Sequence, residues 1–181
     1  MKSIINKNTY KKIYALLEDV TPLSSDCGNL CGKLCCTSSD QDLGMYLLPG
    51  EEQMFTQRED WLIWDKQNAA DYDFPNSWRG TVYFVRCTKG CPRDKRPLQC
   101  RTFPLAPHLQ NGGQLLLIRE PFDLPYLCPL ITEKVALESP FIAGVYAAWL
   151  ELIKDPLIYD LVQYDSQQRK IPLDIVSIPK D

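Results

Sequence analysis

The chain has 181 residues, 45% of them hydrophobic and 24% charged, which is enough apolar material for a packed core and too much for a disordered chain. Lys plus Arg is 20 against 23 for Asp plus Glu, a formal net charge of −3, and this argues against a protein whose main task is gripping a nucleic-acid backbone. A single histidine, His108, excludes any scheme that needs two, such as a HExxH zinc protease, and the informative count is eight cysteines.

Residues 9–20 are predicted to form a first helix. Tyr10, Ile13, Tyr14, Leu16 and Leu17 recur at near-helical spacing, with Lys11, Lys12 and Glu18 on the other side and Asn8 as the N-cap. Pro22 ends it, and Ser24, Ser25, Asp26 and Gly28 mark a loop that leads into the first cysteine stretch. Residues 44–48 (GMYLL) suit a short strand. After the turn at Pro49 and Gly50, Glu51 and Glu52 open a short helix with acidic groups at its positive end. Residues 57–80 are mixed and rich in aromatics. Residues 81–86 (TVYFVR) are β-branched and aromatic and predict a strand. The second cysteine stretch, 87–100, carries Gly90 and Pro92 and is expected to be an irregular loop. Asn111-Gly112-Gly113 is a turn signal before a strand over 114–120. Ser139-Pro140 starts a helix to about residue 154, burying Ile142, Val145, Trp149 and Ile153. Asp155-Pro156 repeats the same signal for a last helix to about 167. The sum is an α+β fold in which a small irregular sheet with cysteine-rich loops is packed by N- and C-terminal helices, as one domain over 1–181.

The N-terminal MKSIINKNTYKKIY has positive charge but no following apolar stretch of the about 7–15 residues that a secretory signal needs. The longest apolar run, 141–150, is 10 residues, half the about 20 of a membrane span. A cytoplasmic protein without a membrane partner is therefore expected. Thiols stay reduced in that compartment, so eight cysteines point to metal ligation rather than disulfides. The plainer alternative, scattered buried thiols acting as small hydrophobes, sits badly with their spacing.

The cysteines fall as Cys27, Cys31, Cys35 and Cys36, then Cys87, Cys91 and Cys100, then Cys128. A metal site needs such clustering, because three or four thiolates must come within about 2.3 Å of one ion and short loops lower the entropy cost of doing so. Gly28 and Gly32 let the backbone turn tightly and leave N–H groups free to point at sulfur. Adjacent Cys35 and Cys36 reach one centre only through a sharp turn; otherwise they serve two centres, or one is a buried structural thiol. The four-residue steps from Cys27 to Cys35 would align on a helix face, but the glycines and the serine-rich lead-in argue for a loop. The spacing is also one residue off the CxxxCxxC of radical S-adenosylmethionine enzymes. Between 86 and 101 lie Arg86, Lys89, Arg93, Lys95, Arg96 and Arg101 against Asp94 alone. Such cations would lower thiol pKa values and offset a thiolate cluster; a solvated basic loop and a phosphate site are the alternatives.

The segment 96–104, RPLQCRTFP, resembles the RPxxCRxFP signature of the YkgJ-like cysteine cluster family. Cys31-Gly32 with Cys35-Cys36 is similar to that family's first cluster, GMYLLPGEE at 44–52 to the leucine-rich strand and glutamate after it, and Cys128-Pro129 to its late CP element. Cys87 and Cys91 sit where the family has cysteines upstream of the RP element, so the resemblance covers about 27–130. It implies a zinc- or iron-chelating protein, with Cys27, Cys31, Cys35, Cys36, Cys87, Cys91, Cys100 and Cys128 as candidate ligands. Related clusters occur in flagellin lysine methylases, which keeps a protein-modifying enzyme as an alternative. Independently of the resemblance, Pro97 and Pro104 stiffen the chain around Cys100, and Arg96 and Arg101 flank its thiolate or anchor the loop to carboxylates. Phe103 is an apolar plug that excludes water.

Three further features carry less. His108 lies eight residues past Cys100 but in a proline-rich segment that suits a surface histidine equally. The aromatics from Trp61 to Trp78 suit core, cover or a ligand pocket. Glu59, Asp60, Asp65, Asp71 and Asp73 suit a solvated acidic face, with no spacing that singles out an acid or base. The expectation is a metal-binding cysteine-cluster protein holding an iron–sulfur cluster or zinc through thiolates, with a redox or sensing role. The x3 spacings and the CC pair are unlike common zinc ribbons and tilt the choice toward iron–sulfur. An enzyme that uses the centre and a zinc-stabilised binding module are the alternatives; a protein partner is compatible with either.

Overall fold

The structure is a computed structural model that describes residues 2–37, 43–121, 124–170 and 172–179, without the side chains of Cys36 and Thr37. Helix α1 (Lys7–Leu16) begins two residues before the predicted start, because the cap is Asn6 and not Asn8. The Asn6 carboxamide oxygen accepts the backbone N–H groups of Asn8 at 2.9 Å and Thr9 at 3.1 Å. The helix stops at Leu16, whose side chain is exposed, while Tyr10, Ile13, Tyr14 and Leu17 are buried as expected. The first cysteine stretch is not loop throughout. It forms two single helical turns, α2 (Gly28–Cys31) and α3 (Leu34–Thr37). Gly32 and Lys33 separate them with φ of 64° and 62°, a left-handed pair that reverses the chain and breaks what the four-residue spacing would otherwise continue as one helix.

Two three-stranded antiparallel sheets replace the single small sheet expected. The first has the order β1 (Met45–Tyr46), β3 (Thr81–Cys87), β2 (Leu62–Asn68). The second has the order β4 (Leu105–Leu109), β5 (Leu115–Arg119), β6 (Ile175–Val176). Strand β4 carries Pro107, which lacks an N–H; it lies at the edge of its sheet, the position that tolerates that loss. The second cysteine stretch is also partly ordered, with a 3-10 turn at Arg93–Lys95 and the short helix α4 (Leu98–Thr102) that carries Cys100. Helix α5 (Pro129–Thr132) follows directly on Cys128. Helices α6 (Ser139–Leu152) and α7 (Pro156–Gln168) match their predicted starts, each with proline in its first turn.

The fold is α+β. Helices α1, α6 and α7 bury Tyr10, Ile13, Phe141, Val145, Ile158 and Val162 against Leu105, Leu115 and Leu117 of the second sheet. The first sheet buries Leu62 and Val85 under Leu47, Trp61 and Cys91. A third cluster, Ala69, Trp78 and Val82 with Leu157 and Leu161, ties the first sheet to α7. There the Trp78 indole N–H donates to the Leu157 carbonyl at 2.8 Å and Ser77 hydrogen-bonds Asp160. Among the described residues no helix is long and apolar enough to cross a membrane.

Asp155 caps α7 and also holds the N-terminal segment. One carboxylate oxygen accepts the N–H groups of Leu157 and Ile158, and the other accepts the Ser3 hydroxyl and the N–H groups of Ile4 and Ile5. At 2% exposure its loss leaves several donors without water to replace it. Asp155→Ala is therefore expected to lower unfolding free energy by about 2–4 kcal/mol, read from urea denaturation, and to free the N-terminal segment to proteolysis.

Candidate functional site

Cys27 immediately precedes α2, Cys31 ends it and Cys35 lies on α3. Cys87 ends β3, Cys91 is buried in the loop after it, Cys100 is at the centre of α4, and Cys128 precedes the first turn of α5. The side chain of Cys36 lies outside the described residues. Electrostatic contact shows which thiols are neighbours. The field of Cys35 acts on Cys27, Cys87, Cys100 and Cys128. Cys27 and Cys31 neighbour Cys128, and Cys91 neighbours both Cys87 and Cys100. The thiols thus form two sets, Cys27, Cys31, Cys35 and Cys128 in one and Cys87, Cys91 and Cys100 in the other, joined through Cys35. The first set draws on chain segments far apart in sequence, whereas the second lies within the single stretch 87–100.

The local backbone supports this gathering. Asp26 accepts the Gly28 N–H at 3.0 Å and pairs with Lys33 at 3.1 Å, which closes the α2–α3 reversal. Cys128 caps α5 with its backbone, its carbonyl accepting the N–H groups of Ile131 and Thr132 at 2.9 Å each. The Cys87 thiol hydrogen-bonds Cys91, and the Cys100 thiol donates to the Met45 sulfur at 3.2 Å.

The expectation that surrounding cations lower the thiol pKa values is not met. Burial and then the neighbouring Cys35 push Cys27 up, and burial followed by Cys91 and Cys35 pushes Cys100 up. For Cys87 the hydrogen bond with Cys91 is the largest cause, with burial next. Cys128 is raised by burial, with the nearby N–H groups at the start of α5 pulling the other way. Arg96 does pull Cys27 and Cys100 down, but desolvation and sulfur–sulfur repulsion outweigh it. Arg93, Lys89 and Arg101 are engaged elsewhere. Arg93 donates to the Val20 carbonyl, and Lys89 pairs with Asp60. Arg101 anchors the loop through carbonyls rather than carboxylates, to Arg96 at 2.9 Å and Asp94 at 2.6 Å, with its guanidinium 4.3 Å from the Tyr14 ring centroid.

The residue that sequence reasoning undervalued is Glu51. It opens a 3-10 turn (Glu51–Met54) as expected, but it is fully buried instead of facing solvent. One of its oxygens accepts the Tyr14 hydroxyl at 2.7 Å and the Leu98 N–H at 2.6 Å, and the other accepts the Leu48 N–H at 3.0 Å. Leu98 is the first residue of α4, so this carboxylate fixes the helix that carries Cys100. Burial pushes its pKa up, against the pull of these donors and of Arg101.

A cavity of about 660 Å³ opens beside the thiols. Cys27, Cys35, Cys87 and Cys100 line one part, and Tyr46, Tyr72, Phe74, Trp78 and Phe84 line another, with Phe103 also on its wall. Asp165 and Arg169 of the α7 end close it. Of the aromatics from 61 to 78, Tyr72, Phe74 and Trp78 therefore line a pocket, Trp61 is core, and Trp64 packs edge-on to Phe55 and Tyr83. His108 sits on β4 opposite Leu116; burial and the charge of Arg169, and no thiol, push its pKa down. Among the acidic residues, Asp60 pairs with Lys89, Asp65 accepts from Gln67, and Asp73 accepts the Tyr164 hydroxyl.

In donor type, the four thiols of the first set match what a four-iron cluster or a structural zinc takes. Among the described residues, however, no three Cys, His, Asp or Glu side chains are arranged closely enough to hold a metal ion. No protein-family model, no curated protein and no solved structure matches the chain.

Two outcomes follow from the buried carboxylates. Glu51→Ala strands three buried donors and is expected to cost about 3–5 kcal/mol, whereas Tyr14→Phe removes one hydrogen bond to a charged acceptor and costs about 1.5–3 kcal/mol; chemical denaturation measures both. Asp165 is raised by burial to about 6, with Arg169 opposing and Asp73 reinforcing the shift. Its folded pKa exceeds its unfolded value, so the folded state binds the extra proton and stability falls as pH rises from about 4 to about 6, by about 3 kcal/mol. Asp165→Asn should abolish that fall, which denaturation at both ends of the range would reveal.

Proposed function

We propose that this chain is a metal-binding cysteine-cluster protein that holds an iron–sulfur cluster or zinc through thiolates. The observation that carries the reading is that Cys27, Cys35, Cys87 and Cys100, from separate elements of the chain, line one cavity. Burial and mutual repulsion keep these thiols protonated when free, and a bound cation would offset the charge of the thiolates that ligate it. The likeness of RPLQCRTFP to the YkgJ-like signature supports the same reading.

In this reading Cys27, Cys31, Cys35 and Cys128 are the first ligand set and Cys87, Cys91 and Cys100 belong to a second, while Cys36 is a candidate ligand from the sequence alone. Arg96 offsets thiolate charge, and Arg101 acts from behind by holding the loop. A bound cluster supplies one-electron transfer or sensing; zinc supplies a cross-link. The residues of the chain position sulfur, line the approach to it with Phe103 and Met45, and tie α4 to the core through Glu51. The partner is the metal itself; the acidic balance of the chain argues against nucleic acid.

The cavity favours a second reading, an enzyme that works beside the centre on a small molecule or a modified side chain. A small molecule released from the purified protein on denaturation and found by mass spectrometry would support it; a protein that carries metal and nothing else supports the first reading.

Anaerobic purification followed by elemental analysis and a visible spectrum tests the proposal. Brown protein with iron and sulfide identifies a cluster, and colourless protein with stoichiometric zinc identifies zinc. Cys128→Ser is expected to lower the metal content at least severalfold with the fold retained by circular dichroism. Protein free of both iron and zinc in aerobic and anaerobic preparations alike overturns it.

A further inference from the structure

The second sulfur set contains a group that neither a cluster nor zinc calls for. Strand pairing places Met45 opposite Val85, and Val85 opposite Trp64. Cys87 lies two residues beyond Val85, opposite Leu62, so it shares a face with Val85. Met45, Val85, Cys87 and Leu62 thus share one face of the first sheet, and that face is the apolar cluster in which Cys91 is buried. Gly44 makes this approach possible. A Cβ there would meet the Val85 carbonyl oxygen at 2.6 Å and the Phe84 ring at 2.4 Å, so only glycine lets β1 lie this close to β3. Helix α4 then brings the Cys100 sulfur to 3.2 Å from the Met45 sulfur, while Cys87 hydrogen-bonds Cys91. Cys100 and Cys87 are neighbours in turn, so the two sulfur pairs adjoin.

We propose that Met45 and Cys100, with Cys87 and Cys91, form a site for a soft monovalent metal ion, copper(I), distinct from the four-thiol set of Cys27, Cys31, Cys35 and Cys128. The chemistry of the donors selects the ion. A thioether is a neutral, soft donor that copper(I) accepts alongside thiolates, whereas zinc sites are built from Cys, His and carboxylates. Copper(I) is satisfied by two or three sulfurs, so a thiol pair and a thiol–thioether pair suffice without a complete tetrahedron. The apolar wall of Leu47, Trp61, Leu62 and Val85 covers one side of these sulfurs, and the cavity that Met45, Cys87 and Cys100 line gives an ion its way in from the other. Each thiol that binds loses its proton to solvent, and Met45 donates a lone pair with no proton exchanged. The ion arrives already reduced, so no oxidant or reductant takes part.

The inference rests on the metal-binding reading above and deepens it at its second set. The test uses the full chain, reduced and anaerobic, competing for copper(I) against its coloured bicinchoninate complex. In parallel, zinc binding is followed with a chromogenic zinc chelator. The wild type should withdraw copper(I) from bicinchoninate. Met45→Leu should weaken copper(I) binding at least tenfold and leave zinc binding within about twofold, its fold checked by circular dichroism. X-ray absorption at the copper edge of the wild type, which needs no variant, should show sulfur ligands only. Failure of the wild type to compete, equal copper(I) affinity in Met45→Leu, or nitrogen and oxygen ligands at copper each overturn the inference. Zinc or iron bound without copper(I) removes this site and leaves the first reading standing. Copper(I) bound in the absence of either removes the first reading and leaves this one.

Discussion

The arrangement of the thiols depends on one carboxylate. Glu51 is wholly buried, and desolvating its charge is costly. Three donors make that tolerable: the Tyr14 hydroxyl, the Leu48 N–H and the Leu98 N–H. They belong to α1, to the segment after β1, and to α4. Because each must point at the same two oxygens, three elements distant in sequence have little freedom relative to one another. Tyr14 is held on its other side by the Arg101 guanidinium, which also binds carbonyls of its own loop. The result is a rigid block that sets Cys100 of α4 against Met45 of β1.

Much of the helical structure was legible from local chemistry. Proline in the first turn marked the starts of α6 and α7, and Asp155 acts as the cap that its place before Pro156 implies. The sequence pointed to Asn8 as the cap of α1, and the oxygen geometry gives that role to Asn6. Strand β2 was hidden because Asp65, Lys66 and Gln67 interrupt its apolar alternation, as befits a strand with no neighbour on one side. Strand β4 was hidden by Pro107, which local rules disfavour in a strand and an outer strand accepts.

The site was legible in composition and not in arrangement. Clustering along the chain marked the cysteines, and Arg96 does face two of them. The burial of Glu51 left no local mark, since an acidic residue at a helix start looks the same whether it meets solvent or three donors from elsewhere. Nor did the spacing indicate that cation density would be offset by desolvation, because that balance depends on how deeply each sulfur sits. Met45 looked like ordinary strand filling; its contact with Cys100 exists only because β1 and α4 meet in space.

The outer strands of the two sheets have a consequence for the chain in crowded solution. Strand β1 and strand β6 are two residues long, β2 carries charge at Asp65 and Lys66, and β4 lacks a donor at Pro107. Each of the four ends of the hydrogen-bonded ladders is thus a poor template for a strand from another molecule. A protein with so many exposed or half-exposed sulfurs is prone to intermolecular cross-linking, and these blunt margins keep neighbouring copies from being lined up for it.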